Sequence, residues 1–334
     1  MNNVLKNSGV WITWERQTRN RSASSYLEVP LFEILSKSSS RIIRYFYCAR
    51  KTINILKRHR PRIVFVQNPS VVLSILAILA RKFFNFRLVI DAHNAGVYGP
   101  ERFHYLLTAI NRFIIRSADT VLVTNSDLAS YVKLVGGTPI VLPDPLPKIQ
   151  SSLQKNSPSD SRMRAKAFCI TSWSDDEPFL EIISACQSFK DQIDIIFSGN
   201  YRKIKNSLPS DLPENVHLLG FIGEEDFWNE ILSSDFCIDL TKRSDCMVCG
   251  AYESVSAEKP IILSNTDVQR QYFQKGVVFC ENTREGIVAG IEEMITNLDH
   301  YRLEISKLKR EILEKERSDR AFLINKFLEL EKAQ

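Results

Sequence analysis

Residues 245–260 read Asp-Cys-Met-Val-Cys-Gly-Ala-Tyr-Glu-Ser-Val-Ser-Ala-Glu-Lys-Pro. The apolar run Phe236-Cys237-Ile238-Asp239-Leu240 before them reads as a buried strand, and Pro260-Ile261-Ile262-Leu263 reads as the next one. Between the two, the residues after Gly250 have the composition of a helix, with Glu253 in its first turns. Strand, loop, helix and strand make one βαβ unit. In an open α/β sheet the loop at the carboxyl end of a strand is where ligands bind. A helix starting within residues 246–251, where Cys249 and Gly250 stand, offers backbone N–H groups and a positive dipole end to an anion such as a diphosphate. Asp245 and Glu253 are eight positions apart across that loop. Glu253 suits the paired hydroxyls of a ribose, and Asp245 suits hydroxyls of a second sugar. Two solvated acids flanking a helix would show the same spacing, so the surroundings must decide.

Working outward, the same alternation fills the chain. Toward the N-terminus, strands are expected at Gly9–Glu15, Arg62–Gln67, Phe86–Ile90, Asp119–Thr124 and Pro139–Pro143, with helices over 41–62 and 71–84 and a helix capped by Ser126. Strands at 167–171, 192–197 and 216–220 and a helix at 226–232 lead back to the opening stretch. Strands alternating with helices at this spacing predict parallel sheets. Pro143-Asp144-Pro145-Leu146-Pro147 and the polar residues up to Ser161 read as a linker. The expected domains are 1–147 and 162–298, followed by a charged helical tail over 299–334 in which Leu303, Leu308, Ile312, Phe322, Ile324 and Phe327 are the apolar positions.

The pattern Asp245-x7-Glu253, followed by Ala257-Glu258-Lys259-Pro260-Ile261-Ile262, resembles the E-x7-E donor motif of GT-B glycosyltransferases. It departs from that motif at Asp245, where the family has Glu, and at Glu258, where the family usually has Gly. Val66-Gln67-Asn68-Pro69, Leu88 to Asn94 and Thr171 to Glu177 resemble stretches of the β-mannosyltransferases that extend a dolichol-diphosphate chitobiose core, and family-4-type enzymes share the layout. The resemblance implies a GT-B fold: two Rossmann-like parallel-sheet domains facing a cleft, with a long C-terminal helix. It implies transfer of a sugar from a nucleotide-diphosphate sugar to a glycan or lipid-diphosphate acceptor in surface polysaccharide or glycan synthesis. The first resemblance implies inversion and the second retention. Donor binding falls to the C-terminal domain, on Asp245, Glu253, Cys249 and Gly250. Gly199, Arg202 and Lys203 follow another strand there, with the two cations placed for phosphate charge. The acceptor falls to the N-terminal domain. There the tip Asp91-Ala92-His93-Asn94 and Glu15 or Glu101 are the candidate catalytic groups, His93 foremost. No D-x-D pair stands at a strand end, so no metal and no cofactor beyond the donor is expected.

The first βα loop lacks G-x-G-x-x-G. Its residues 16–25 read as a polar loop, and Arg19 and Arg21 suit an anionic acceptor group there. A solvated basic loop would look alike.

Composition bounds the partners. Residues 1–150 hold 21 Lys/Arg against 8 Asp/Glu, and the remainder is acidic. A basic half suits an anionic membrane surface or nucleic acid. The basic, aromatic segment 41–62 reads as an amphipathic helix of the kind that rests on anionic lipid. It lacks the RNP and helix-turn-helix patterns, so nucleic acid is not expected as a partner. Seven scattered Cys fit a reducing compartment, and Cys246-x-x-Cys249 has no second pair at zinc spacing. No apolar run reaches the roughly 20 residues that span a bilayer. The expected location is cytoplasmic, at the inner face of a membrane. A sugar-nucleotide epimerase or phosphorylase of the same fold is the other enzymatic reading.

Overall fold

The computed structural model describes residues 5–68, 70–92, 96–97, 104–149 and 164–332, with the side chains of residues 104, 105, 205 and 206 excepted. The chain divides into two compact units, residues 1–145 with 315–334, and residues 146–314.

In the first unit, strands β1 (Gly9–Thr13), β2 (Leu31–Glu33), β3 (Ile63–Asn68), β4 (Arg87–Ala92), β5 (Thr120–Val123) and β6 (Pro139–Val141) form one parallel sheet in the order β2-β1-β3-β4-β5-β6. β1, β3 and β5 are buried along their whole length. That is expected of a parallel sheet covered on both faces, and it is why these strands read as unbroken apolar runs. One face carries the helices Arg41–His59, Val71–Phe84, His104–Ser117 and Ser126–Leu134 around a core that includes Val64, Val66, Leu88, Ile90 and Ile114. The other face carries the helix Thr18–Leu27 and residues from the end of the chain: Trp11, Phe65, Leu27, Leu323 and Phe327 share its core. Phe327 meets the Phe65 ring edge-on at 5.2 Å, and Arg62 pairs with Glu331 at 3.0 Å.

The second unit holds β7 (Ala165–Cys169), β8 (Ile193–Ser198), β9 (Val216–Gly220), β10 (Phe236–Asp239), β11 (Ile261–Ser264) and β12 (Val277–Cys280). They are parallel and ordered β12-β11-β10-β7-β8-β9. Helices Phe179–Cys186 and Arg284–Thr296 pack on one face, and Glu224–Ser233 and Cys249–Ser256 on the other. The helix Leu298–Lys332 is one element, with Ile305, Leu308 and Ile312 buried in the second unit. Of the apolar positions noted in the tail, Leu303 and Phe322 are exposed; Ile305 and Leu323 are buried.

Two local expectations are corrected. Residues 18–27 form a helix, where a polar loop was expected. Arg19, Ala23 and Leu27 repeat every four residues and Asn20 and Ser24 beside them, and all five are buried. The inward face is largely polar, so apolar periodicity could not reveal it. Asn125, and not Ser126, caps the helix Ser126–Leu134: its Oδ1 accepts the Leu128 N–H at 2.9 Å. Most of the expected linker, from residue 150 on, lies outside the described residues.

Candidate functional site

In the second unit the strand order turns back between β7 and β10. The carboxyl ends of these two neighbours form the crevice in which a doubly wound sheet binds its ligand. β10 ends in Asp239, the helix Cys249–Ser256 begins ten residues later, and the two meet directly. The Gly250 N–H donates to Asp239 Oδ2 at 3.0 Å. A Cβ on Gly250 would overlap that carboxylate and the Ile170 side chain, so glycine is what lets the helix start against the strand end. Glu253 lies one turn further on and is buried, an unusual place for a carboxylate. Burial first, and then the nearby Glu177 and Glu253 carboxylates, push the Asp239 carboxyl well above the usual range; the Gly250 hydrogen bond offsets this in part.

Asp245 is half-buried in the loop before the helix, and Cys249 is exposed at the first helical position. Burial, with Asp239 adding to it, pushes the Cys246 thiol up to about 12, which makes it a poor thiolate. Glu258 adopts φ 56°, the left-handed conformation that glycine favours. Its carboxylate is fixed by Ser306 and Lys309, each at 2.8 Å. Burial opposes its charge, but those bonds outweigh it and hold the Glu258 carboxyl below the ordinary range. The departure from Gly therefore keeps the backbone shape.

The loop after β7 closes the other side of the crevice. Glu177 accepts the N–H groups of Ser172 at 3.0 Å and Trp173 at 2.8 Å, and the Ser172 hydroxyl at 2.7 Å. Trp173 adopts a positive φ of 60°, and its indole N–H donates to the Ser198 carbonyl at 2.7 Å. Asp176 receives Arg243 at 3.2 Å and the Thr241 hydroxyl at 3.3 Å, which ties this loop to the one after β10. Gly199, at the end of β8, has φ 83°, and a Cβ there would overlap the Thr171 carbonyl oxygen. Arg202 and Lys203 are exposed on the short 3-10 segment Tyr201–Ser207, whose first turn Asn200 caps at 3.3 Å. Cys249, Gly250 and Glu253 thus share one helix, while Gly199, Arg202 and Lys203 follow the neighbouring strand. Sequence reading missed Asp239, Trp173 and Glu177. An acid ending the run Phe236-Cys237-Ile238-Asp239 was the available signal for the first. The other two depend on a loop shape that spacing does not encode.

In the first unit the order turns back between β1 and β3. Buried amides crowd these strand ends. The Trp11 indole donates to Asn20 Oδ1 at 3.0 Å, while Asn20 Nδ2 at 3.0 Å and the Thr13 hydroxyl at 2.6 Å both donate to Gln67 Oε1. Glu15 is exposed just beyond β1, its N–H donating to Thr13 Oγ1 at 3.1 Å. Arg19 is fully buried. Its Nη2 and Nε reach Asp91 at 2.7 Å and 3.0 Å, and its Nη1 reaches the Leu142 carbonyl at 3.1 Å and Asp144. Burial opposes the charge of Arg19; Asp91 and Asp144 more than offset this and raise its pKa. The guanidinium expected to grip an acceptor is therefore engaged with Asp91, itself expected among the catalytic groups. Arg21 forms a two-bond pair with Glu33, at 2.9 Å and 3.1 Å. His93 and Glu101 lie outside the described residues.

Residues 16–142 match the family model of the glycosyl transferase 4-like domain. The fold is that of the GT-B glycosyltransferases, and the family match covers residues 16–142. Sucrose-phosphate synthase from Thermosynechococcus elongatus superposes with a TM-score of 0.69 at 13% identity, covering 91% of this chain and 84% of that one. HepE from Anabaena, solved with UDP and glucose, gives 0.68 at 11% identity over 98% of this chain and 99% of its own. The lipopolysaccharide outer core galactosyltransferase WaaB gives 0.55 at 12% identity, over 94% and 99%. At these identities the likeness establishes the GT-B fold. No curated protein sequence matches the chain. The residues matched by that family model lie within the first unit, and the Asp239–Gly250–Glu253 constellation belongs to the second.

Proposed function

We propose that this chain transfers a sugar from a nucleotide-diphosphate sugar to a glycan carried on a lipid diphosphate, at the inner face of a membrane, in surface polysaccharide synthesis. The observation that carries the donor part is Glu253: a buried carboxylate one turn into a helix whose start is fixed against the β10 end in a switch-point crevice. Such a carboxylate accepts two ribose hydroxyls in charge-assisted bonds. The helix N–H groups near Cys249 and Gly250, the close backbone at Gly199, and Arg202 and Lys203 meet the diphosphate. Asp245 bonds the transferred sugar. HepE binds UDP and glucose on the same fold, which supports a nucleotide-sugar donor; WaaB acts on the lipopolysaccharide outer core, which supports an acceptor of that kind.

In the reaction the bond from sugar C1 to the diphosphate oxygen breaks, and an acceptor hydroxyl bonds to C1 and loses its proton. His93 and Glu15 serve that end of the reaction. Asp91, held by Arg19, positions the strand end that precedes His93. Cations and helix N–H groups stabilise the leaving diphosphate, so no metal or further cofactor is required. A thermal-shift screen of nucleotide sugars tests the donor reading. One nucleotide sugar should raise Tm, and Glu253→Ala should abolish the rise. A product assay with that sugar separates transfer from epimerisation: appearance of the isomeric donor, with no glycan extended, would replace this reading with an epimerase.

A further inference from the structure

The helices Arg41–His59, Val71–Phe84 and His104–Ser117 lie side by side on one face of the first unit's sheet, and their inner sides join one core. Their outer sides differ from an ordinary solvated surface in two ways. First, large apolar side chains stand exposed: Ile42 at 82%, Phe46 at 71% and Phe83 at 83%, with Ile43, Leu106 and Phe113 beside them. They follow stripes, with Val72, Leu79 and Phe83 along the second helix and Leu106 and Phe113 one heptad apart on the third. Second, the three helices, of 19, 14 and 14 residues, hold ten Lys or Arg and no Asp or Glu. Arg81 is committed to Asp119 at 3.1 Å and Arg116 to the Val135 carbonyl at 2.7 Å; Arg50, Lys51, Lys82 and Arg112 are among the cations that remain exposed. Arg44 and Lys51 sit over the rings of Tyr45 and Tyr47, at 5.6 Å and 5.7 Å from their centroids.

We propose that this three-helix face docks on an anionic phospholipid bilayer. Ile42, Ile43, Phe46 and Phe83 enter the acyl boundary, and the cations rest on headgroup phosphates. The inference rests on the membrane-borne acceptor read above and names the surface that reaches it. Charge complementarity selects the occupant. A nucleic acid would be met by the cations alone and gains nothing from an exposed Ile42 or Phe46. An acidic protein would need a groove, whereas these side chains project. A face that is apolar, aromatic and purely cationic matches a bilayer interface, where apolar side chains sink about 5–10 Å and cations meet phosphate. No helix among the described residues is long and apolar enough to cross a membrane, so attachment through this face is peripheral.

Co-sedimentation of the full chain with phosphatidylcholine vesicles, with and without phosphatidylglycerol, tests the proposal. The parent protein should partition at least about tenfold better onto the anionic vesicles. High salt should weaken binding without abolishing it, because the apolar anchor is insensitive to screening. Ile43→Ser, Phe46→Ser and Phe83→Ser should each lower partitioning by about tenfold. Lys51→Gln and Lys57→Gln should each lower it about fivefold on anionic vesicles only. All five side chains are exposed, and an unchanged circular dichroism spectrum confirms the fold. Equal partitioning of the parent protein onto neutral and anionic vesicles overturns the proposal. So does parental partitioning by the triple serine variant, or displacement from vesicles by duplex DNA that the serine changes do not alter. Stabilisation by nucleotide sugars, measured on the same proteins, keeps the two readings apart. Lost vesicle binding with stabilisation intact affects docking alone, while vesicle binding by a protein that no nucleotide sugar stabilises rejects the donor reading and leaves docking standing.

Discussion

Replacing Arg19 by alanine removes the guanidinium that Asp91 and Asp144 share. Both carboxylates are buried, and Arg19 donates four hydrogen bonds to them, with a fifth to the Leu142 carbonyl. Breaking a buried pair by deleting one partner costs about 3–5 kcal/mol, because the remaining charge loses its compensation without regaining water. Two carboxylates lose it here, so the upper part of that range is expected. In a unit of this size each kcal/mol lowers Tm by roughly 2–4 °C, which gives a fall of about 8–20 °C. Urea unfolding read by fluorescence is the assay, with Trp173 and Trp228 replaced by Phe so that Trp11 and Trp14 report the first unit. Arg19→Lys should recover little, since one ammonium cannot reproduce the two-bond geometry at Asp91 together with the contacts at Asp144 and Leu142. Arg19→Met with Asp91→Asn and Asp144→Asn should recover most of the loss, since the charges leave together. If Arg19→Ala unfolds within about 0.5 kcal/mol of the parent, the reasoning fails and Arg19 returns as a ligand for an acceptor anion.

Three further outcomes follow from the second unit. Glu253→Ala should weaken nucleotide-diphosphate binding by about 10- to 150-fold for each charge-assisted bond lost, measured by calorimetry; unchanged affinity removes Glu253 from the site. Burial raises the Asp239 carboxyl in the folded state, so its contribution to stability is complete below the ordinary carboxylate range and is lost as pH rises through the raised value, at up to about 1.4 kcal/mol per pH unit. Asp239→Asn should flatten that loss in a pH series of urea melts, and parallel curves for the two proteins would contradict it. Gly199→Ala combines an unfavourable positive φ with overlap on the Thr171 carbonyl, and should cost at least about 2 kcal/mol of stability in chemical denaturation.

Much of this architecture was legible because parallel strands buried on both faces leave unbroken apolar runs, as at Ile63–Val66 and Leu88–Ile90. The helix Cys249–Ser256 was legible through Gly250 and Glu253, which lie close in sequence. The first βα unit was not. Its helix turns Arg19 and Asn20 inward, and their partners Asp91, Asp144 and Gln67 stand 47 to 125 residues away. No local pattern can disclose a pairing that only the folded sheet creates. The basic, aromatic character of residues 41–62 was visible in composition. Which of its apolar side chains project outward depends on what the neighbouring helices cover.

The helix Leu298–Lys332 gives the protein an order of manufacture. Residues 315–332 belong to the first unit, where Leu323 and Phe327 complete the core behind Trp11 and Phe65, and Glu331 reaches both Ser8 and Arg62. A ribosome must therefore make all of residues 146–314 after Pro145 before it supplies the last piece of the part it began with. At about 5–20 residues per second, that interval is on the order of 10–30 s. Through that interval the emerging N-terminal sheet waits with the Phe65 side of its core covered only in part, by the helix Thr18–Leu27. A chain cut after residue 147 would never close it.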